Sequence, residues 1–171
     1  MTAELYIDGA TQGSNPGVGG IGGYLTFGQS RFEFYDKLTY MTNNVAEYNA
    51  LVRGLELCVE HLIDDVIVYS DSKLVVNQMR GIWKIKHQDM KTLYGRAKVF
   101  ADQIKNVKYQ WIPREQNTEA DRLSKLAFGN NRDEESSKQD VVEIVMGANR
   151  LFVKESVRAG DKKLVTIKCL F

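Results

Sequence analysis

Cysteine and histidine occur only twice each in this chain, and their scarcity removes whole classes of chemistry. Cys58 and Cys169 lie far apart with no metal-ligand spacing, so neither a disulfide framework nor a cysteine zinc site fits, and two reduced, buried thiols are expected. The histidines are His61 and His87, and His61 reads as a helix-end residue. An excess of either charge is missing too. The formal net charge is +1 and the sequence pI is near 7.7, which excludes a strongly basic chain that coats nucleic acid without selectivity. Any nucleic-acid contact must then come from a local patch. No apolar run approaches the roughly 20 residues of a membrane span, and no basic-then-apolar stretch resembles a signal peptide. A cytoplasmic protein with no membrane partner is the expectation.

What is present is ordinary for a globular domain: 43% hydrophobic and 26% charged residues in a chain of 171. Alternation over residues 3 to 8, with Leu5 and Ile7 on one face, predicts a strand. Gly13-Ser14-Asn15-Pro16-Gly17 reads as a tight turn. Ile21 to Phe27 and Arg31 to Leu38 follow as strands, completing an antiparallel meander. Thr42 or Asn43 can cap a helix running to about His61, with Ala46, Ala50, Leu51, Leu55, Cys58, Val59 and Leu62 on its apolar side. Val66 to Tyr69 has the composition of a strand buried on both faces. Ser72 starts a short helix through Met79, and a second spans about Asp89 to Ile104. Val107, Tyr109 and Trp111 alternate as a fifth strand that stops at Pro113, and Thr118 and Asp121 form a capping-box pair opening a last helix.

The fold class is therefore α/β, a mixed five-stranded sheet with helices on both faces. Residues 1–129 make one domain. Residues 130–139 read as a polar linker, and 140–171 as a β-rich C-terminal extension of strand-like segments at Val141 to Met146, Leu151 to Val153 and Leu164 to Leu170. Ala159-Gly160-Asp161 would be a turn there, and the extension carries no chemical motif.

Four acidic residues have telling neighbourhoods. Asp8 and Asp71 end strand-like runs, whereas Glu47 and Asp121 sit near the starts of helices. Taken singly, each has a bland explanation as a cap, turn or solvated side chain. Gathered at one spot, four carboxylates would raise one another's pKa and call for cations. Their hard oxygens suit magnesium or manganese, and such sites most often act on phosphates.

The segments Tyr6-Ile7-Asp8-Gly9-Ala10 with Asn15-Pro16-Gly17, Thr42-Asn43-Asn44-Val45-Ala46-Glu47, Ser70-Asp71-Ser72-Lys73-Leu74-Val75 and Asn117-Thr118-Glu119-Ala120-Asp121-Arg122-Leu123 recur in one order. On these residues, from 1 to about 128, the chain resembles type 1 ribonuclease H. The resemblance implies a ribonuclease H-like sheet with the first strand central beside the fourth. It also implies an endoribonuclease that cuts the RNA strand of RNA/DNA hybrids, leaving 5′-phosphate and 3′-hydroxyl ends. Asp8 would bridge two Mg2+ ions, with Mn2+ as a substitute, and Glu47, Asp71 and Asp121 would complete the ligand set. Asn43 and Asn44 match positions that reach sugars and bases in the minor groove, and Asn15 is a third candidate.

Within Arg80 to His87, Trp83, Lys84 and Lys86 form a candidate substrate patch that combines stacking with phosphate contact. The competing reading is a solvated helix connection with Trp83 folded into the core. Two departures from the family pattern stand out. The loop before Asp121 has Pro113-Arg114-Glu115-Gln116 where many relatives place a histidine, leaving Arg114 or Glu115 to serve there or turnover to proceed without it. Ser14 is an extra residue in the first turn. A non-catalytic hybrid-binding module and a DNA-directed nuclease of the same fold are the alternatives, and double-stranded RNA is left open as a further substrate. A monomer is expected, with a dimer through the extension as the other possibility.

Overall fold

In the computed structural model, residues 1–129 are described with their side chains, and 143–147, 150–159 and 162–170 by their backbone alone. The chain divides into two units, Met1–Asn130 and Asn131–Phe171.

The first unit is a five-stranded sheet with four helices. Strands β1 (Ala3–Gln12), β2 (Gly17–Phe27) and β3 (Ser30–Met41) form the antiparallel meander; β4 (Asp65–Ser70) and β5 (Asn106–Trp111) run parallel to β1, in the order β3-β2-β1-β4-β5. The first strand is thus central beside the fourth, as the resemblance implied. All three meander strands are longer than their apolar alternation predicts. Asp8 lies inside β1 rather than at its end, because Asp8 to Gln12 pair with Val18 to Gly22. This half of β2 is rich in glycine and carries little hydrophobic pattern.

Those glycines let helices approach closely. A Cβ on Gly9 would stand 2.2 Å from the Glu47 backbone nitrogen, and one on Gly22 would stand 2.1 Å from that of Ser124. On one sheet face lies α1 (Asn43–Glu60), packed on Leu5 and Ile7; α4 (Thr118–Leu126) lies against Gly22 on the other. Thr42 caps α1, its Oγ1 accepting from the Val45 N–H. Ala46, Ala50, Leu51, Leu55 and Cys58 are buried as expected, and Cys58 is a free thiol. Leu62 is not part of that face. The helix ends at Glu60, Leu62 takes φ 53° in the left-handed region and turns to solvent, and Ile63 enters the core instead.

Helices α2 (Lys73–Met79) and α3 (Gln88–Ala101) fill the stretch between β4 and β5. Ser72 is the cap of α2. α3 stops one turn before the predicted end, but Ile104 is still buried. β4 departs from its expected two-sided burial: Val66 and Val68 are buried, whereas Ile67 and Tyr69 are half-buried. On that second face a tyrosine ladder, Tyr24–Tyr6–Tyr69, crosses the sheet with centroids 4.8 and 4.6 Å apart.

The second unit contains β6 (Glu143–Gly147), β7 (Arg150–Ala159) and β8 (Lys162–Leu170), an antiparallel sheet in the order β6-β7-β8. The expected linker at 130–139 and the centre of the turn at 160–161 lie outside the described residues. No helix among the described residues is long and apolar enough to cross a membrane.

Candidate active site

Asp8, Glu47 and Asp71 arrive from three elements: the middle of β1, the second turn of α1 and the residue just after β4. One carboxylate oxygen of each lies within 4.8 Å of the other two. Asp8 is 4% exposed; burial, with help from the Asp71 and Asp121 charges, raises its pKa to about 6 despite the Ser124 hydroxyl against its Oδ2. Glu47 is 6% exposed, and burial followed by the Asp8 and Asp71 charges pushes its carboxyl well above the usual range, although the Gly9 N–H bonds to it. Its Oε2 is buried with no hydrogen-bond partner among the described residues.

Asp121, in the first turn of α4, stands outside that three-oxygen cluster, close enough for its charge to act on Asp8. Burial works against its ionisation, but Lys125 (2.5 Å) and Arg114 (2.7 Å) hold its carboxyl below the ordinary range. The expected capping box with Thr118 does not form. Asn117 takes the cap position and gives no capping bond, because its side chain turns into the site. Its Nδ2 donates to the Ile7 carbonyl (2.9 Å) and to Asp71 Oδ1 (3.1 Å), and the residue is 1% exposed. Asn117 therefore ties β1, Asp71 and the start of α4 together. In the sequence Asn117 is only the first residue of the motif that holds Asp121; the signal available was a cap-type residue four positions ahead of the last acid. Ser124, packed against Asp8, was missed entirely, since a serine inside an amphipathic helix carries no pattern.

The loop before Asp121 is a single 3-10 turn, Arg114–Gln116. Of the two candidates there, Arg114 is the one beside the carboxylates: it pairs with Asp121, and its charge favours ionisation of both Asp8 and Glu47. His61 ends α1 and stacks on Phe32 at 3.8 Å, and His87 sits at the N-cap position of α3.

The remaining candidates surround the start of α1. Asn15 Oδ1 accepts from the Asn43 backbone N–H at 3.0 Å, so this oxygen braces the helix. Asn44 is exposed and faces a groove of about 480 Å³ shared with Leu74, Gln78, Trp83, Lys84 and Lys86. Trp83 is 47% exposed rather than folded into the core.

The donor set fits a divalent cation: three clustered hard carboxylates, two with pKa values raised by burial and mutual repulsion, with the Glu47 Oε2 buried and without a partner among the described residues. A family model described as "Reverse transcriptase-like" matches residues 7–127. The bifunctional protein Rv2228c of Mycobacterium tuberculosis is 38% identical over 148 residues, covering 85% of this chain; the chain spans 40% of that protein's length. The solved N-terminal RNase H domain of that protein shares 39% identity at a TM-score of 0.71, covering 74% of this chain and 98% of the domain. RNase H1 of the halophilic archaeon Halobacterium salinarum gives a TM-score of 0.71 at 32% identity, covering 75% and 98%. LC11-RNase H1, solved with an RNA/DNA hybrid, gives 0.67 at 34% identity, covering 73% and 95%. By that family model and these relatives, the chain belongs to the type 1 ribonuclease H family.

Proposed function

We propose that this chain is an endoribonuclease that hydrolyses the RNA strand of RNA/DNA hybrids, leaving 5′-phosphate and 3′-hydroxyl ends. The observation that carries the reading is the Asp8–Glu47–Asp71 cluster, its first two members buried, with a Glu47 oxygen that has no partner among the described residues. The hybrid bound to LC11-RNase H1 supports the choice of substrate. Asp8, Glu47 and Asp71 would hold Mg2+, or Mn2+ in its place, with Asp121 as the fourth carboxylate. Two such ions, when bound, activate a water and neutralise the leaving oxygen.

The protein's own share is positioning and charge. Asn117 orients Asp71 through its Nδ2, and Arg114 offsets the local negative charge beside Asp121. Asn44 and Asn43 at the head of α1 read the sugar edge, where the 2′-hydroxyl separates RNA from DNA. Across the groove, Trp83, Lys84 and Lys86 hold the duplex by packing and phosphate contact. In this reading residues 1–129 are the catalytic domain of a cytoplasmic monomer, and 140–171 are an appended extension.

The test offers labelled RNA/DNA hybrid, RNA duplex and DNA duplex with Mg2+ to the wild type and to Asp8→Asn. Cleavage of the RNA strand of the hybrid by the wild type, lost on Asp8→Asn or with a chelator, is expected. Cutting of DNA duplex alone would overturn the reading, and hybrid binding without cleavage would make the chain a binding module.

A further inference from the structure

The 80–87 loop is built by more than its own sequence. After α2, Gly81 takes φ +72°, and the Ile82 and Trp83 N–H groups both donate to the Asn77 carbonyl at 2.8 and 3.1 Å, which reverses the chain. From there the loop is mostly exposed, and Lys84 is tied back through one side chain: Gln78 Nε2 donates to the Lys84 carbonyl at 3.3 Å. The amide is itself oriented, because the Tyr48 hydroxyl donates to Gln78 Oε1 at 2.8 Å. Both partners are buried, Tyr48 completely. Methionine would fill much the same volume with no polar group to satisfy, so what the amide adds is direction.

Tyr48 lies four residues after Asn44, on the same face of α1. The relay Tyr48–Gln78–Lys84 therefore links the helix that carries Asn44 to the loop that carries Trp83, Lys84 and Lys86, beneath the groove they share. We propose that Gln78 is a positioning residue for hybrid binding: through Tyr48 and the Lys84 carbonyl it sets the span between Asn44 and the basic, aromatic loop. This rests on the hybrid as substrate. Gln78 hydrogen-bonds neither to the carboxylate cluster nor to the Asn117 and Ser124 side chains that bond it, so its effect belongs to binding and not to the chemical step.

The test uses full-length protein with Gln78→Met, Tyr48→Phe and the double variant, measuring kcat and KM on labelled hybrid, Kd by fluorescence anisotropy, and melting temperature. KM and Kd are expected to rise about fivefold to tenfold in Gln78→Met with kcat within twofold, the pattern of lost uniform binding. Tyr48→Phe should move the same way, and the double variant should be no worse than Gln78→Met, because the two groups act in series. If Gln78→Met does not fold, Tyr48→Phe carries the test. A lowered melting temperature with unchanged KM and Kd would overturn the inference, as would a fall in kcat alone. A wild type that neither binds nor cuts hybrid would instead overturn the functional reading beneath it.

Discussion

At the scale of single residues, burial and mutual repulsion set the carboxylates against their own ionisation. Asp8 has its pKa raised to about 6 from an ordinary 3.8, first by burial. A raised acid pKa means that the folded state binds more protons than the unfolded state between those two values. In metal-free protein this group therefore lowers stability as pH rises from about 4 to about 6, and its penalty is fully present at neutral pH. Asp8→Asn removes that penalty, and at pH 7.5 with a chelator it should raise stability by about 1–2 kcal/mol, with the gain shrinking near pH 4. Adding Mg2+ should narrow the gap by stabilising the wild type alone. Urea unfolding at both pH values checks this; a variant less stable than the wild type at pH 7.5 would contradict the electrostatic account. Asn117 is the neutral counterpart. Asn117→Ala should cost about 1–3 kcal/mol by stranding the Ile7 carbonyl. It should also slow hybrid turnover at least tenfold by freeing Asp71, measured at saturating substrate.

At the scale of elements, the site depends on how closely helices approach the sheet. α1 brings Glu47 against Gly9, and α4 brings Ser124 against Gly22, in both cases backbone to backbone. Neither contact survives an added methyl without movement of a helix. Gly22→Ala is expected to cost about 3 kcal/mol or more, as other forced overpacking does at the upper end, and to lower kcat by shifting α4 away from Asp8. Thermal melting and hybrid kinetics together decide it, and a near-normal kcat would show that α4 tolerates displacement. The same glycines explain why β1 and β2 outrun their sequence-based ends. Hydrophobic alternation marks a strand by the side chains it buries, and a run such as Gly17 to Gly23 buries almost none. The helices were easier to read because their apolar positions recur every three or four residues. Their ends were less legible: Leu62 looked like a continuation of α1 until the left-handed turn sent it outward.

At the scale of the whole molecule, the buried hydrophobic residues among those described run from Ala3 to Ala127, all in the first unit. A chain ending at Asn130 is expected to fold, melt within a few degrees of the full chain and keep hybrid cleavage within about threefold, because the first unit carries its own sheet, helices and core. Circular dichroism and a cleavage assay test this, and loss of folding would assign the last 41 residues a structural part. What the amino-acid order determined by itself was the class of the sheet and the order of its elements, and it marked the four acids as candidates, because periodicity and short motifs are local properties. What only the tertiary structure decided was which groups face one another. It placed Asp8 in mid-strand, drew Asp8, Glu47 and Asp71 into one cluster with Asp121 held beside it by Arg114 and Lys125, and turned Asn117 inward. It also joined Tyr48 to Gln78 and Gln78 to Lys84. Such pairings span from four to more than a hundred residues of chain, and the long ones follow from how closely the helices can lie on the sheet, which no local pattern records.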